Sequence, residues 1–254
     1  MNKALNYMHK VNNSEIPVCN ILGVNIAAVD MEWLLNFTKK YIKELSGDYM
    51  CVSNVHTTVT AFEDADYCVV QNGGIIAIQD GGPLSTVGRK RGFKNMKRTT
   101  APSYMGEILK ISTQKGYRHF FYGSTEETLE KLYQVLQHDY LGLQIAGMYS
   151  PPFRPLTEEE NRAVIERINE TKPDFVWIGL GAPKQERWMA EHQGVIKGFM
   201  VGVGVGFDYF AGNISRAPEW MQRTNLEWCI GFCRIRRDCL AGTGIRIRSL
   251  SGML

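Results

Sequence analysis

The stretch Phe175 to Met189 constrains the fold of this chain more than any other. A short apolar run, Phe175-Val176-Trp177-Ile178, leads into Gly179-Leu180-Gly181-Ala182-Pro183 and then into Lys184-Gln185-Glu186-Arg187-Trp188-Met189. Apolar residues bounded by glycines predict a buried strand, and Pro183 ahead of a charged segment predicts the first residue of a helix. A strand, a glycine turn and a helix N-terminus in that order can direct backbone N–H groups at an anion, with Pro183 itself contributing none. The same glycines also suit close packing of strand on helix, and Gly-x-Gly alone does not separate the two readings.

The rest of the chain repeats this alternation. Ile21 to Val29 reads as a strand, and Asp30 as the N-cap of a helix reaching about Leu45. Tyr49 to Val52 is a second strand ending in Ser53-Asn54-Val55-His56, followed by a helix from about Thr57 to Cys68. Ile75 to Ile78 is a strand that delivers Gln79-Asp80-Gly81-Gly82. Ser103 to Lys115 is helical by pattern, Tyr117 to Tyr122 extended, and the hydroxyls and acids of Ser124-Thr125-Glu126-Glu127 suit the start of a helix to about Gln137. Leu143 to Ala146 is a short strand, and the prolines of Ser150 to Pro155 demand an extended loop before Thr157 caps a further helix. Gly198 to Val203 is the last strand, before Gly204-Val205-Gly206-Phe207-Asp208. This order predicts an α/β fold, a Rossmann-like and largely parallel sheet with flanking helices, plus a basic C-terminal appendage. The expected organisation is a polar leader over 1–20, the α/β domain over 21–228 and the appendage over 229–254. Ligands of such sheets gather at the carboxyl ends of the strands.

Six cysteines lie scattered without a C-x-x-C pair and five histidines lack metal-ligand spacing, so a reducing, cytoplasmic setting with no metal site is expected. No apolar stretch approaches a membrane span, and residues 1–20 lack the apolar core of a signal peptide. Net charge is only +3, yet Arg234, Arg236, Arg237, Arg246 and Arg248 face a single acid, Asp238. Such a segment suits phosphates or an anionic membrane surface, or is simply a solvated tail.

Asp80 follows an apolar strand directly and has glycines beside it, which leaves a carboxylate room to act as a general base toward a hydroxyl; capping of the next turn is the alternative. Asp64-Ala65-Asp66 has a metal-binding spacing but falls within a helical segment, which favours a solvated face. Gly202-Val203-Gly204-Val205-Gly206 resembles part of a dinucleotide fingerprint, but no acid follows about 20 residues on at a strand end. A nicotinamide-dependent oxidoreductase is accordingly a distant alternative, and no cofactor is expected. Arg98, Lys184 and the arginine tail are of the type that offsets a diphosphate's charge.

Taken together, the segments from Ile21 to Trp228 resemble the WecG/TagA/CpsF family of bacterial glycosyltransferases. The resemblance rests on Gly23-Val24, Asn54 with His56, Asp80-Gly81 with Arg98, Tyr149-Ser150-Pro151-Pro152-Phe153, Pro173-Asp174, Gly179 through Glu186, Gly204 through Asp208, and Arg216-Ala217-Pro218 through Leu226-Glu227-Trp228. It implies an inverting, metal-independent transfer of a sugar, N-acetylmannosamine or a related one, from a UDP-sugar donor to a polyprenyl-diphosphate-linked sugar, in teichoic acid or surface polysaccharide synthesis. It places the catalytic base on Asp80 and pocket positions on Asn54, Arg98 and Gln185. Gly179, Gly181, Lys184, Gly206 and Asp208 are the further substrate-site candidates, with Arg234, Arg236 and Arg237 as membrane or diphosphate contacts. The expected location is cytoplasmic, peripheral on the inner face of the cell membrane, without nucleic acid and leaning toward homo-oligomers. Val52, Ala101, Ser103 and Gly231 depart from the family pattern, which keeps open a catalytically weakened relative that binds or assembles.

Overall fold

The computed structural model describes residues 7–215. The chain opens with a hairpin of β1 (Val18–Ile21) and β2 (Val24–Ala27), followed by α1 (Met31–Tyr41), β3 (Tyr49–Ser53), α2 (Val55–Glu63), α3 (Ala65–Gly73) and β4 (Ile76–Gln79). Next come α4 (Gly82–Lys90), α5 (Ala101–Lys115), β5 (Arg118–Gly123), α6 (Glu126–Asp139) and β6 (Gln144–Tyr149). The last described elements are α7 (Glu158–Glu170), β7 (Phe175–Gly179), α8 (Lys184–Glu191), β8 (Phe199–Gly202) and α9 (Gly206–Phe210).

The strands form one eight-stranded sheet in the order β1-β2-β4-β3-β8-β7-β5-β6. Only β1 runs antiparallel to its neighbour; every other pairing is parallel. The chain therefore has the expected α/β fold. Between β4 and β5 it crosses from one side of β3 to the other, which opens a crevice at the carboxyl ends of β4, β3 and β8.

Both faces of the sheet are covered, and β7 shows how. Phe175 and Trp177 point into one apolar layer with Leu34, Tyr104 and Phe207, while Val176 and Ile178 point into the other with Tyr49, Tyr67 and Trp188. A strand buried on both sides reads as a continuous apolar run, which is why this segment was legible.

Four local predictions are corrected. The strand expected over Ile21 to Val29 is two strands, because Leu22 (φ 52°) and Gly23 (φ 91°) form a two-residue turn with left-handed geometry at both positions. The helix expected from Thr57 to Cys68 breaks at Asp64, which adopts extended geometry and caps α3 by accepting the Tyr67 N–H at 2.9 Å. Helix α5 starts at Ala101 rather than Ser103, because Thr100 is its cap and Pro102 is tolerated in the first turn. Pro183 is the cap of α8 rather than its first residue; Gly181, at φ 76°, reverses the chain just before it.

Candidate functional site

Strands β3 and β4 lie side by side with Ser53 opposite Gln79, and the Asp80 N–H donates to the Ser53 carbonyl at 2.6 Å. Asn54 and Asp80 therefore leave the sheet at adjacent strand ends. Asn54 is the N-cap of α2: its Oδ1 accepts the Thr57 N–H at 3.0 Å, while Thr57 Oγ1 accepts the Asn54 N–H at 2.9 Å. The cap of α4 is Gly81, at φ 94° and with no side-chain bond, so the half-buried Asp80 stands one residue before a helix N-terminus.

Arg98 reaches the same place by a tether. Gln79 Nε2 donates to the Val29 carbonyl at 2.7 Å and to that of Lys97, and the Thr99 N–H donates to the Gln79 carbonyl at 3.2 Å. Residues 97–99 are thus strapped across the end of β4, beside Asp80. Lys97 fixes the strap further by pairing with Asp30 at 3.0 Å. Of the family-atypical positions, Val52 packs in the apolar core, and Ala101 and Ser103 build the first turn of α5. There Thr100 Oγ1 accepts the Ser103 N–H at 3.3 Å and its hydroxyl bonds Ser103 Oγ at 2.8 Å.

The other side of the crevice is made differently. A Cβ on Gly179 would sit 2.6 Å from the Phe207 ring, and one on Gly123 would sit 2.5 Å from the Gly179 carbonyl oxygen. Close packing, one of the two open readings, thus accounts for Gly179, and Gly206 is likewise buried against Val203. Gly181 is needed for its φ of 76° and has open space where a Cβ would be. Lys184 is exposed at the start of α8. Gln185 is turned inward, only 4% exposed: its Oε1 accepts the Gly204 N–H at 3.0 Å and its Nε2 donates to Glu186 Oε1 at 2.8 Å. Asp208 is turned toward α6, accepting from Thr128 Oγ1 at 3.3 Å and Asn213 Nδ2 at 3.1 Å.

The structure therefore gathers Asn54, Asp80 and Arg98 at one pair of strand ends and places the glycines, Lys184 and Gln185 along the neighbouring ones. Arg234, Arg236, Arg237 and Gly231 lie outside the described residues. Among the described residues no group of three or more His, Cys, Asp or Glu side chains is arranged to hold a metal. Asp64 instead pairs with Arg187 at 2.6 Å, and the Tyr67 N–H, followed by this pair, holds its carboxyl below the usual range. A groove of about 850 Å³ lined by Leu22, Phe62, Cys68, Asn72 and Arg91 lies toward the opposite end of the sheet, at the β1–β2 turn. No described helix is long and apolar enough to cross a membrane.

Sequence reasoning included Ser53 and Glu186 in motif segments without giving either a role, and passed over Tyr67 and Gln71; the four are buried and linked by hydrogen bonds behind the crevice. Tyr67 and Gln71 are four residues apart on a helix, a readable signal. Their meeting with Glu186, 119 residues from Tyr67, is not readable from the sequence.

The model of the WecG/TagA/CpsF glycosyl transferase family matches residues 19–237. The chain is 29% identical over 191 residues to an N-acetylglucosaminyldiphosphoundecaprenol N-acetyl-β-D-mannosaminyltransferase of Bacillus subtilis, covering 75% of this chain and 73% of that protein. A protein of the same name from Bacillus spizizenii is 28% identical over 189 residues, covering 74% and 72% of the two chains. One from Staphylococcus aureus is 26% identical over 212 residues, with 82% of each chain covered. The match embraces β2 through α9 and all of β1 but its first residue, and with them Asn54, Asp80, Arg98 and the whole stretch from Gly179 to Asp208. This chain belongs to the WecG/TagA/CpsF family and is a glycosyltransferase.

Proposed function

We propose that this glycosyltransferase moves an N-acetylmannosaminyl or closely related residue from a UDP-sugar to a polyprenyl-diphosphate-linked N-acetylglucosamine, in teichoic acid or other surface polysaccharide synthesis. The observation that carries the reading is the convergence of Asp80, Asn54 and the Arg98 strap at the adjoining ends of β4 and β3. Relatives covering nearly three quarters or more of this chain are named for that donor residue and acceptor.

In this reading Asp80 accepts the proton of the acceptor hydroxyl as its oxygen bonds to the sugar's anomeric carbon from the face opposite the departing nucleotide, so the configuration inverts. The leaving UDP carries the bonding pair, and its growing charge meets Arg98, Lys184 and the N-termini of α4 and α8. Those groups take the place of a divalent cation. Asn54 presents its amide beside Asp80, Gly181 lets the backbone come close to the nucleotide, and the Gly204–Asp208 turn closes the far side. Val55, Val59 and Phe62 form an exposed apolar stripe along α2, which Asn54 caps, and this stripe takes the first isoprene units of the acceptor. The basic segment with Arg234, Arg236 and Arg237 draws the enzyme to the anionic membrane face where that lipid resides.

The test uses purified full-length protein, UDP-N-acetylmannosamine and a short-chain lipid-diphosphate N-acetylglucosamine. Product formation that survives EDTA supports the reading in full, and turnover abolished by EDTA and restored by a divalent cation removes its metal-independent part. Nucleotide binding without turnover for any of a panel of UDP-sugars would favour a binding or assembly role, which the atypical Val52, Ala101, Ser103 and Gly231 motivate.

A further inference from the structure

We propose that Glu186 is a positioning residue of the transfer site, the common end point of two buried hydrogen-bonded chains that fix the carboxyl ends of β3 and β8 relative to each other. The proposal deepens the reading above, since those strand ends are the ones assigned to substrate.

One chain starts at the end of β3. Ser53 Oγ donates to Gln71 Oε1 at 2.7 Å, Gln71 Nε2 donates to the Tyr67 hydroxyl at 2.8 Å, and that hydroxyl donates to Glu186 Oε2 at 3.1 Å. The other starts after β8, where the Gly204 N–H donates to Gln185 Oε1 at 3.0 Å and Gln185 Nε2 donates to Glu186 Oε1 at 2.8 Å. Ser53, Gln71, Tyr67, Gln185 and Glu186 are all buried, so water does not substitute for a missing partner.

The direction of the donors is the informative part. A backbone N–H only donates, so Gly204 forces the Gln185 oxygen toward itself and the Gln185 amino group toward Glu186. Both chains therefore run head-on into one carboxyl group, and an ionised carboxylate, acceptor on both oxygens, ends both of them. A proton on Glu186 makes one oxygen a donor. The Gly204 arm cannot reverse, so the change passes through Tyr67 and Gln71 to Ser53, whose carbonyl receives the Asp80 N–H and whose neighbour is Asn54.

The groups that face Glu186 are Tyr67 on α3, Tyr49 and Cys51 on β3, and Gln185 on its own helix. Burial pushes the Tyr49, Cys51 and Tyr67 groups up, so they stay protonated and neutral at physiological pH. Burial also raises the Glu186 carboxyl above its ordinary range, against the lowering effect of its hydrogen bonds with Gln185 and Tyr67. The folded state thus holds this proton more tightly than the unfolded chain does. Stability from Glu186 falls as pH rises through these pKa values, and stability alone favours a neutral side chain at this position.

The experiment compares wild type, Glu186→Gln and Tyr67→Phe, full length, by thermal unfolding, by transfer kinetics against pH, and by the Ser53 and Gly204 amide shifts of labelled protein. Glu186→Gln should hold its Tm at neutral pH, lose ~10- to 100-fold in kcat with little change in donor KM, and lack the wild type's acid limb lying above the ordinary carboxylate range. Tyr67→Phe should perturb the Ser53 amide and leave the Gly204 amide in place. Wild-type kcat and pH profile in Glu186→Gln overturn the proposal, as does a loss of activity that merely tracks a fall in Tm. The amide shifts separate this idea from the assigned reaction: if they titrate together in wild type and not in Glu186→Gln while no sugar is transferred, the coupling stands and the reaction falls. Flat shifts in wild type overturn the coupling whatever the activity.

Discussion

The two sides of the crevice solve different problems with similar residues. At the ends of β3 and β4, Asn54, Asp80 and Arg98 are only partly buried and are aimed by short local devices, a capping box, a glycine cap and a strap over Gln79. At the ends of β7 and β8 the polar side chains Gln185 and Glu186 are buried and the surface is left to glycine backbone and Lys184. A buried polar group is held in one orientation by its neighbours, whereas a half-exposed one retains access to substrate and protons. One side is suited to chemistry and the other to holding a shape.

That contrast is open to direct attack. The largest effect is expected at Asp80: Asp80→Asn should keep its unfolding midpoint while kcat falls ~100-fold or more, and near-normal rates would take Asp80 out of the mechanism. The mirror-image result belongs to Gly123 at the end of β5. Its φ of 120° and the 2.5 Å approach to the Gly179 carbonyl mean that Gly123→Ala should cost ~3 kcal/mol in urea denaturation. Activity per folded molecule should change far less.

A further check concerns a buried group at the opposite end of the strands. His119 Nδ1 accepts the Trp177 indole N–H at 3.0 Å beside the rings of Phe175 and Trp177, and burial pushes its pKa down to about 3. A histidine depressed in the folded state binds its proton more readily when unfolded, so stability is lost as pH falls below about 6.5 toward 3. From pH 7 to 4.5 the loss from this group is roughly 2–3 kcal/mol, and His119→Phe should flatten the acid slope of stability by about one proton.

Asn54 tests whether cap and pocket roles separate. Asn54→Asp retains an equally good cap, so Tm should hold to within ~1 °C of wild type at neutral pH, while the added negative charge weakens UDP binding by about ten-fold as read by calorimetry. The smallest effect is expected from Val59→Ser with Phe62→Ser. KM for a long-chain lipid acceptor should rise by roughly three- to ten-fold and KM for a water-soluble one stay put, because each exposed apolar side chain contributes about 1 kcal/mol or less. Equal shifts for both acceptors would detach the stripe from the lipid.

The alternation of strands and helices and the caps at Asp30 and Thr157 were legible because each depends on neighbours within a few residues. The hairpin at Leu22-Gly23 was hidden by an apolar residue in a left-handed position, where Asn or Asp is the usual signal. The break at Asp64 was hidden because the segment is helical on both sides of it.

By itself, then, the sequence determined that a parallel α/β sheet forms and that Asn54, Asp80 and Arg98 fall at strand ends or their connections, since backbone preference and apolar periodicity are local properties. Only the tertiary structure decided which partners the polar side chains around them take. It turned Gln185 inward onto Gly204, spent Asp208 on Thr128 and Asn213, and joined Ser53 to Glu186 through α3. The burial of the Glu186 carboxyl depends on Tyr67, 119 positions away, and the two meet only once the sheet has assembled.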